Sequence, residues 1–256
     1  MKTIMDIDMH TTAVRTPVLR TLAIDIGATG LKAAVVDTVG KMPSEHVRVE
    51  TPRPGTPEAV VEALVALIHP LGGFERISIG FPGVVRGVRV MTAPNLANDA
   101  WKGFPLASVL TDRLGKPARM LNDATVHGLG VIMGQGLECV ITLGTGMGFA
   151  LFDEGRLTPH LELSHHPIRK GKDYDAYIGN ARLLEIGKKR WNRDLDFALT
   201  CIRNLTGYDT LLIGGGNARH IRLELAPNIR IVPNDAGLTG GVRLWDAKLD
   251  PAFAKA

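Results

Sequence analysis

The sequence predicts an α/β protein whose two halves face each other across a cleft. Three observations support this prediction. Apolar runs of strand length alternate with amphipathic helical patterns, a small-residue turn at 25–32 joins two apolar runs, and a similar turn at 143–148 joins two more. Because each turn lies between two strands and not between a strand and a helix, the sequence predicts a hairpin in each half.

The composition is typical of a soluble globular protein. Of 256 residues, 45% are hydrophobic and 22% are charged, which is enough apolar material for one large domain or two small ones. No apolar run reaches the roughly 20 residues that span a bilayer, and residues 1–20 lack a signal-peptide core, so we expect a cytoplasmic protein with no membrane partner. Cys139 and Cys201 lie in apolar segments and predict buried thiols. The net charge of +4 allows an anionic ligand, but no nucleic-acid motif is present and no nucleic-acid partner is expected.

The first half has a clear strand and helix pattern. Residues 1–20 are expected to form a flexible tail, followed by an N-terminal α/β domain at 21–121. Thr56 and Pro57 are suited to the N-cap and first position of a helix, and Pro70 stops it. The predicted elements, in order, are strands at 21–26, 31–37 and 47–51, this helix, strands at 77–81 and 84–91, a loop at 92–104, a helix at 105–114 and a strand at 118–121.

The second half repeats the theme and is expected to form a C-terminal α/β domain at 122–256. Its first helix opens at Asn122 and Asp123, and Gly179 is expected to break the long helical region. The remaining predicted elements, in order, are strands at 138–143, 149–152 and 156–157, helices within 174–204, a strand at 210–213, a turn at 214–217, a helix over 221–225, a strand at 229–232 and a helix at 237–248.

The two small-residue turns have the composition of phosphate-binding turns. In the first, Gly27 and Gly30 allow backbone N–H groups to approach an anion, Thr29 adds a hydroxyl, Lys32 ends the motif, and Asp25 offers a carboxylate for a hydrated metal. The second has the same character, with glycine or threonine at its turn positions Gly144, Thr145, Gly146 and Gly148. Either turn alone is compatible with a β-turn that binds nothing, but the pair predicts a duplicated phosphate clamp.

Asp123 is the candidate general base. It follows an apolar strand and opens a helix, which places a carboxylate at a strand end facing the cleft. A base that takes the proton of an attacking alcohol suits phosphoryl transfer. Capping of the helix is the alternative role, because Asn-Asp is also a good N-terminal signal.

Polar loops near the same strand ends suit a polyhydroxylated ligand. Asn95, Asn122, Glu162 and His165 provide amides, an acid and an imidazole that can pair sugar hydroxyls, with a surface loop as the alternative for the histidine. A third turn follows a later strand and could approach a phosphate, a ribose or a base; it consists of Gly214, Gly215, Gly216 and Asn217. Two basic runs, at 169–172 and 188–193, could follow a polyphosphate chain or be solvated faces.

Taken together, these motifs resemble the actin-like sugar kinases, and among them the repressor, open reading frame and kinase (ROK) family. The segment at 80–83, ending in Gly83, resembles a sugar-binding position, and 162–179 and 208–245 resemble bacterial polyphosphate glucokinases. The resemblance implies an actin-like ATPase (ribonuclease H-like) fold and a glucokinase with polyphosphate or ATP as donor. It also implies Mg²⁺ at the phosphates, Asp123 as base, sugar contacts from Asn95, Asn122, Glu162 and His165, and a possible homodimer.

Some features depart from that family's pattern. Ser164 stands where the family has glycine, the Cys-rich zinc loop is absent, and Asp173 or Asp175 is the candidate to replace a sugar-binding glutamate that follows that loop. Two alternatives therefore stay open: an ATP-dependent ROK kinase of another hexose, and a sugar-sensing protein without turnover.

Overall fold

A computed structural model describes residues 19–253, so the tail expected at 1–20 lies outside the described residues except for Leu19 and Arg20. Among these residues, no helix is both long enough and apolar enough to cross a bilayer. The strands are β1 (Thr21–Ile26), β2 (Leu31–Val36), β3 (Val47–Val49), β4 (Arg76–Phe81), β5 (Val85–Arg86), β6 (Arg89–Val90), β7 (Ala118–Asn122), β8 (Leu137–Leu143), β9 (Met147–Asp153), β10 (Arg156–Leu157), β11 (Pro167–Arg169), β12 (Lys172–Asp173), β13 (Thr210–Gly214) and β14 (Ile229–Ile231). The α-helices are α1 (Pro57–Ile68), α2 (Asn98–Trp101), α3 (Leu106–Leu114), α4 (Asp123–Leu129), α5 (Tyr174–Ile178), α6 (Asn180–Thr206), α7 (Ala236–Thr239) and α8 (Asp250–Phe253).

Two five-stranded sheets with the same internal order form the framework. The first runs β3-β2-β1-β4-β7 and the second β10-β9-β8-β13-β14. In the first sheet β1 pairs antiparallel with β2 and parallel with β4, and in the second β8 pairs antiparallel with β9 and parallel with β13. The two expected hairpins are therefore confirmed, and their turns lie at equivalent strand ends, where ligands of α/β proteins bind.

The first sheet is covered by α1 and α3. Thr56 caps α1 by accepting a hydrogen bond from the Ala59 N–H at 3.4 Å, and Val60 and Leu64 bury one face of that helix. The buried side chains of β1, β2 and β4 form one core with these helices and with Trp101 of α2. This packing holds the first turn and the end of β4 on a rigid layer.

The second sheet is covered by α5 and α6. Helix α6 is kinked at Gly187, whose φ of 73° and ψ of 162° interrupt the helical backbone. Trp191 is fully buried just after the kink and donates from Nε1 to the carbonyl of Ile178 at 2.8 Å. The expected break at Gly179 is confirmed, and the kink at Gly187 is an additional one.

Helix α4 lies between the two sheets and contacts both. It begins directly after β7 and packs against β4 on one side and β8 and β9 on the other. A 3₁₀ segment, Gly240–Trp245, returns from the end of the chain to the first sheet, where the Ser78 hydroxyl donates to the Gly241 carbonyl at 2.7 Å. The start of α4 is thus held by elements from both halves.

Two predictions for the first half were wrong. The strand expected at 84–91 is a hairpin of β5 and β6, because Gly87 adopts a φ of 57° and turns the chain between them. The loop expected at 92–104 contains the short helix α2, whose Trp101 side chain is fully buried. Of the two cysteines expected to be buried, Cys139 is buried and Cys201 only half-buried.

Two predicted helices of the second half were also wrong. Residues 221–225 are not helical, because the buried side chain of Asn192 accepts a hydrogen bond from the Arg222 N–H at 2.6 Å and replaces the helical partner. The helix expected at 237–248 is divided among α7 and 3₁₀ turns. There the backbone at Gly240 approaches α4 so closely that a β-carbon would overlap the carbonyl oxygen of Val126.

Candidate functional site

A cleft of about 530 Å³ lies between the two sheets at the start of α4. Its walls are formed by the first turn, the second turn, the third turn and the loop before β11. The residues expected from the sequence that line it are Asp25, Gly27, Thr29, Gly30, Lys32, Gly83, Asn95, Asn122, Asp123, Gly144, Thr145, Gly146, Gly148, Glu162, His165, Gly215, Gly216 and Asn217. Of the other expected residues, Asp175 lines the cleft, whereas Gly214 and Asp173 do not.

The first turn leaves backbone N–H groups free to bind an anion. The Gly27 N–H donates to the Gly30 carbonyl at 2.9 Å and closes the turn. Within residues 19–253 the N–H groups of Ala28 and Thr29 donate to no acceptor. Just beyond the turn, Lys32 Nζ lies 3.1 Å from Asp25 Oδ2. The first turn thus offers free N–H groups beside a cation that is already paired.

Arg48 adds a second cation to this turn, and sequence reasoning missed it. It lies on β3 directly opposite Lys32 of β2, and its Nε would be 3.0 Å from a β-carbon at Gly30. Arg48 lines the cleft and takes part in none of the ion pairs found among residues 19–253. The sequence did contain a signal for Arg48, because it is the charged residue in the middle of a short alternating strand, β3, that pairs beside Lys32.

The junction of α5 and α6 fixes the second turn through hydrogen bonds. The Asn180 N–H is shared between the carbonyls of Gly144 and Thr145, at 3.0 and 3.1 Å. Asp175 accepts from the Met147 N–H at 2.6 Å, and its carboxyl group fills the space that a side chain at Gly146 would need. Burial raises the pKa of Asp175, an effect that this hydrogen bond partly offsets.

The third turn braces the second one. Asn217 donates from Nδ2 to the Gly144 carbonyl at 3.0 Å and to Asn180 Oδ1 at 3.3 Å, while its N–H reaches the Leu143 carbonyl at 2.9 Å. Both side-chain donors of Asn217 are therefore used inside the protein. The N–H groups of Gly215 and Gly216 make no hydrogen bond within the described part of the chain and remain for a ligand.

Asp123 lies on the cleft floor at the first position of α4. The preceding Asn122 caps the helix, with Oδ1 accepting from the Thr125 N–H at 3.2 Å, so Asp123 is not needed as the cap. Burial, the nearby Asp25 carboxylate and Glu162 raise the pKa of Asp123 to about 7, although it accepts the Ala124 N–H at 2.8 Å. A carboxyl group with this pKa exchanges a proton near neutral pH, as a general base must.

The opposite wall carries the groups expected to bind a sugar. Glu162, whose side chain is 32% exposed, accepts hydrogen bonds from His160 Nε2 at 3.4 Å and from the Ser164 hydroxyl. Burial alone would raise the pKa of Glu162, but these two hydrogen bonds lower it below its usual value, so Glu162 is an ionised acceptor at neutral pH. His165 lies 3.4 Å from Asp173 Oδ2 through Nδ1. Asn122 donates from Nδ2 to the Gly83 carbonyl at 3.3 Å and positions that loop.

His127 is a further cleft residue that sequence reasoning missed. It follows Asp123 by one helical turn, a spacing that places both on the same face of α4. Burial lowers the pKa of His127, so the imidazole is neutral, and Nε2 has no hydrogen-bond partner within residues 19–253. The ring occupies the space beside Gly214 where a β-carbon would be. Gly214 therefore makes room for His127.

The residues present suit a divalent cation that shares its ligands with phosphate and water. Asp25 is close enough to Asp123 that its charge raises the pKa of Asp123, a repulsion that a nearby cation would relieve. Among residues 19–253 no group of three or more His, Cys, Asp or Glu side chains is arranged to hold a metal by itself. In the region after His165, β11 and β12 form a small hairpin.

The chain is similar to proteins of one described family. The family described as "ROK family" matches residues 21–159, just over half of the chain. Two curated relatives, each named polyphosphate glucokinase, come from Mycobacterium leprae and Mycobacterium tuberculosis. The first is 28% identical over 78% of this chain and 64% of its own length, and the second is 28% identical over 77% of both. The chain thus spans slightly less than two thirds of the M. leprae relative.

Solved structures show the same architecture. An inorganic polyphosphate/ATP-glucomannokinase from Arthrobacter sp. strain KM is 30% identical, with a TM-score of 0.79 over 88% of this chain and 97% of its own. A ROK family glucokinase from Streptomyces griseus, solved with glucose and AMPPNP, is 23% identical, with a TM-score of 0.73 over 88% of this chain and 98% of its own. These likenesses confirm the expected actin-like ATPase fold.

Proposed function

Since this chain belongs to the ROK family, we propose that it is a glucokinase that transfers a phosphoryl group from inorganic polyphosphate, or from ATP, to the 6-hydroxyl of glucose. The observation that carries this proposal is the position and pKa of Asp123. Its carboxyl group has a pKa of about 7 and shares one cleft with two phosphate-type turns and the polar loop at 160–165. The names of the mycobacterial and Arthrobacter relatives support both donors.

Asp123 acts on the attacking alcohol. In its ionised form it accepts the proton of the glucose 6-hydroxyl while that oxygen forms a bond to the terminal phosphorus. The bond from this phosphorus to its bridging oxygen breaks, and the donor leaves one phosphate shorter with the electron pair. A base in this position contributes typically 10²–10⁴-fold, and positioning and charge neutralisation supply most of the rest.

The turns hold the donor. Free N–H groups at Ala28, Thr29 and Gly216 point to an anion site, and Arg48 and Lys32 add positive charge beside it. Preorganised donors of this kind stabilise the charge that develops on the transferring phosphoryl oxygens. Asn217 contributes by holding the second turn, because its amide is bonded to the Gly144 carbonyl.

Mg²⁺ fits the same floor, where Asp25 would hold it, directly or through water, together with donor oxygens. When bound, such an ion would offset the charge of the phosphate oxygens.

The other wall orients the sugar. Glu162, ionised at neutral pH, accepts hydrogen bonds from hydroxyls, and Asn95, Asn122 and His165 offer further partners. The boundary we propose between the two domains, at 121–122, falls at the start of α4 beside Asp123. Closure at this boundary on sugar binding would exclude water and limit hydrolysis of the donor.

A donor and acceptor panel tests the proposal. The purified protein with Mg²⁺ is assayed with glucose and mannose as acceptors and with ATP and long-chain polyphosphate as donors, at several salt concentrations. We expect phosphorylation of glucose, and a rate with polyphosphate at limiting donor that falls as salt rises, because a polyanion is held by many charges. Phosphorylation by neither donor would reject the glucokinase. ATP use without salt-sensitive polyphosphate use would reject polyphosphate as donor.

A further inference from the structure

A group of basic side chains lies at the rim of the cleft, beyond the third turn. Lys188, Arg219 and Arg222 are exposed, and Arg219 also lines the cleft. His220 lies among them and accepts a hydrogen bond at Nε2 from Arg219 Nε, at 3.2 Å. We call these four residues the rim cluster. It begins inside the cleft and continues out to the surface.

A buried amide holds the rim cluster together. Asn192 of α6 donates from Nδ2 to the Lys188 carbonyl at 2.8 Å and to the His220 carbonyl at 3.0 Å. The Oδ1 atom of Asn192 accepts from the Arg222 N–H at 2.6 Å. Asn192 is 6% exposed. One buried side chain therefore fixes the backbone of three basic positions from two separate segments.

Within residues 19–253, no carboxylate forms an ion pair with the cations of the rim cluster, Lys188, Arg219 and Arg222. The pKa of His220 is lowered by partial burial and by these three cations, which keeps its ring neutral and able to accept from Arg219. By contrast Arg182, on the same helix before its kink, is paired with both Glu185 and Asp194. Clustered cations without acidic partners are suited to a polyanion.

We propose that the rim cluster binds the distal phosphates of a polyphosphate chain whose terminal phosphate lies at the turns. This inference rests on the proposed function and extends it to a second subsite. A chain longer than the cleft must leave it, and Arg219 belongs to both the cleft wall and the rim cluster. ATP ends in an uncharged nucleoside and would gain little from these cations. The rim cluster would thus favour long polyphosphate over ATP.

The test removes two rim charges that lie outside the cleft. The variant Lys188→Gln/Arg222→Gln is compared with Arg190→Gln/Arg193→Gln, which removes the same charge from exposed positions of the same helix. By helical spacing of about 100° per residue, Arg190 and Arg193 face away from Lys188. Thermal melting of each variant verifies that it is folded.

The kinetic measurement is the KM for long-chain polyphosphate, tripolyphosphate and ATP. For the rim variant we expect the KM for long-chain polyphosphate to rise about 2- to 30-fold, as for the loss of two exposed charge contacts. The KM values for tripolyphosphate and ATP should change less than about twofold, because these short donors do not extend to the two removed charges. The salt dependence of the polyphosphate KM should also become shallower by about 1.4 in log–log slope, for two lost phosphate contacts on a single-stranded polyanion.

Two results would overturn the inference. If the Arg190→Gln/Arg193→Gln control raises the KM as much, the effect is one of net charge. If all three donors are affected equally, the residues act on the cleft as a whole. Titration of long-chain polyphosphate without glucose separates this inference from the proposed function. If the native chain binds polyphosphate more tightly than the rim variant does but shows no turnover, the kinase is rejected and the subsite is retained.

Discussion

Replacement of Asp123 by asparagine should remove activity and at the same time stabilise the fold. The Asp123 pKa is raised from 3.8 to about 7, chiefly by burial and by the charge of Asp25. Between these two pH values the native state binds more protons than the unfolded chain, so the free energy of unfolding falls as pH rises through this window. Asparagine carries no charge and should not show this loss.

The size of the effect follows from the shift. The pKa shift is about three units, each worth about 1.36 kcal/mol. Asp123→Asn should therefore raise the free energy of unfolding by about 4 kcal/mol at pH 8, where Asp123 is ionised in both the native and the unfolded state. At pH 5, where only the unfolded chain is ionised, the same linkage gives about 2 kcal/mol. The turnover number should fall about 10²–10⁴-fold, as for the loss of a general base.

The assay is urea unfolding of the free protein at pH 5 and pH 8, together with steady-state phosphorylation of glucose. The exposed Asp112→Asn variant is the matched control and should leave both activity and the pH dependence of unfolding unchanged. If Asp123→Asn is no more stable than the native chain at pH 8, or if its advantage is the same at both pH values, the carboxyl group is not buried as described.

Three further changes test the packing of the site and fold. Asn217→Ala removes the hydrogen bond to the Gly144 carbonyl. It should raise the KM for either donor about 10-fold, for a lost bond of about 1.5 kcal/mol. An unchanged KM would show that the third turn does not hold the second turn in its binding geometry. Gly214→Ala should destabilise the protein by about 1–3 kcal/mol because its methyl group meets His127, and His127→Ala in the same chain should recover most of that loss in urea unfolding; additive effects would contradict the contact. Thr56→Ala should cost about 1 kcal/mol through loss of the N-cap, whereas Thr56→Ser should be nearly neutral, and equal losses would show that the hydroxyl does not act as a cap.

Local patterns predicted most of the framework. The strands at 21–26 and 138–143 and the helix after Thr56 follow from hydrophobic period and capping residues, which act within a few positions of each other. The glycine-rich turns were found for the same reason, since their backbone geometry depends on the residues in them. The domain boundary at 121–122 and the roles of the site residues stay predictions.

Tertiary contacts account for what the sequence pattern missed. The helix expected at 221–225 is absent because Asn192, about thirty positions earlier, supplies a hydrogen-bond partner. The helix expected at 237–248 is interrupted where Gly240 approaches α4 closely. Neither contact leaves a local signature in the residues concerned.

The same reason applies to cleft residues. His127 and Arg48 reach the cleft only because α4 lies between the two sheets and β3 pairs beside the first turn. His127 follows Asp123 by one helical turn, and Arg48 pairs directly opposite Lys32. Both positions could have been inferred from these spacings once α4 and β3 were placed. Asn217 was expected on the donor side, and its amide in addition braces the second turn.

The most direct test is a ³¹P NMR time course with the native chain and with Asp123→Asn, each given glucose, Mg²⁺ and long-chain polyphosphate, then ATP. The native chain should produce a growing phosphomonoester signal of a sugar 6-phosphate, and the variant should bind glucose yet form that product at least about a hundredfold more slowly. Equal rates from the two proteins, or orthophosphate as the only product of the native chain, would contradict the assignment of Asp123 as the base that activates glucose.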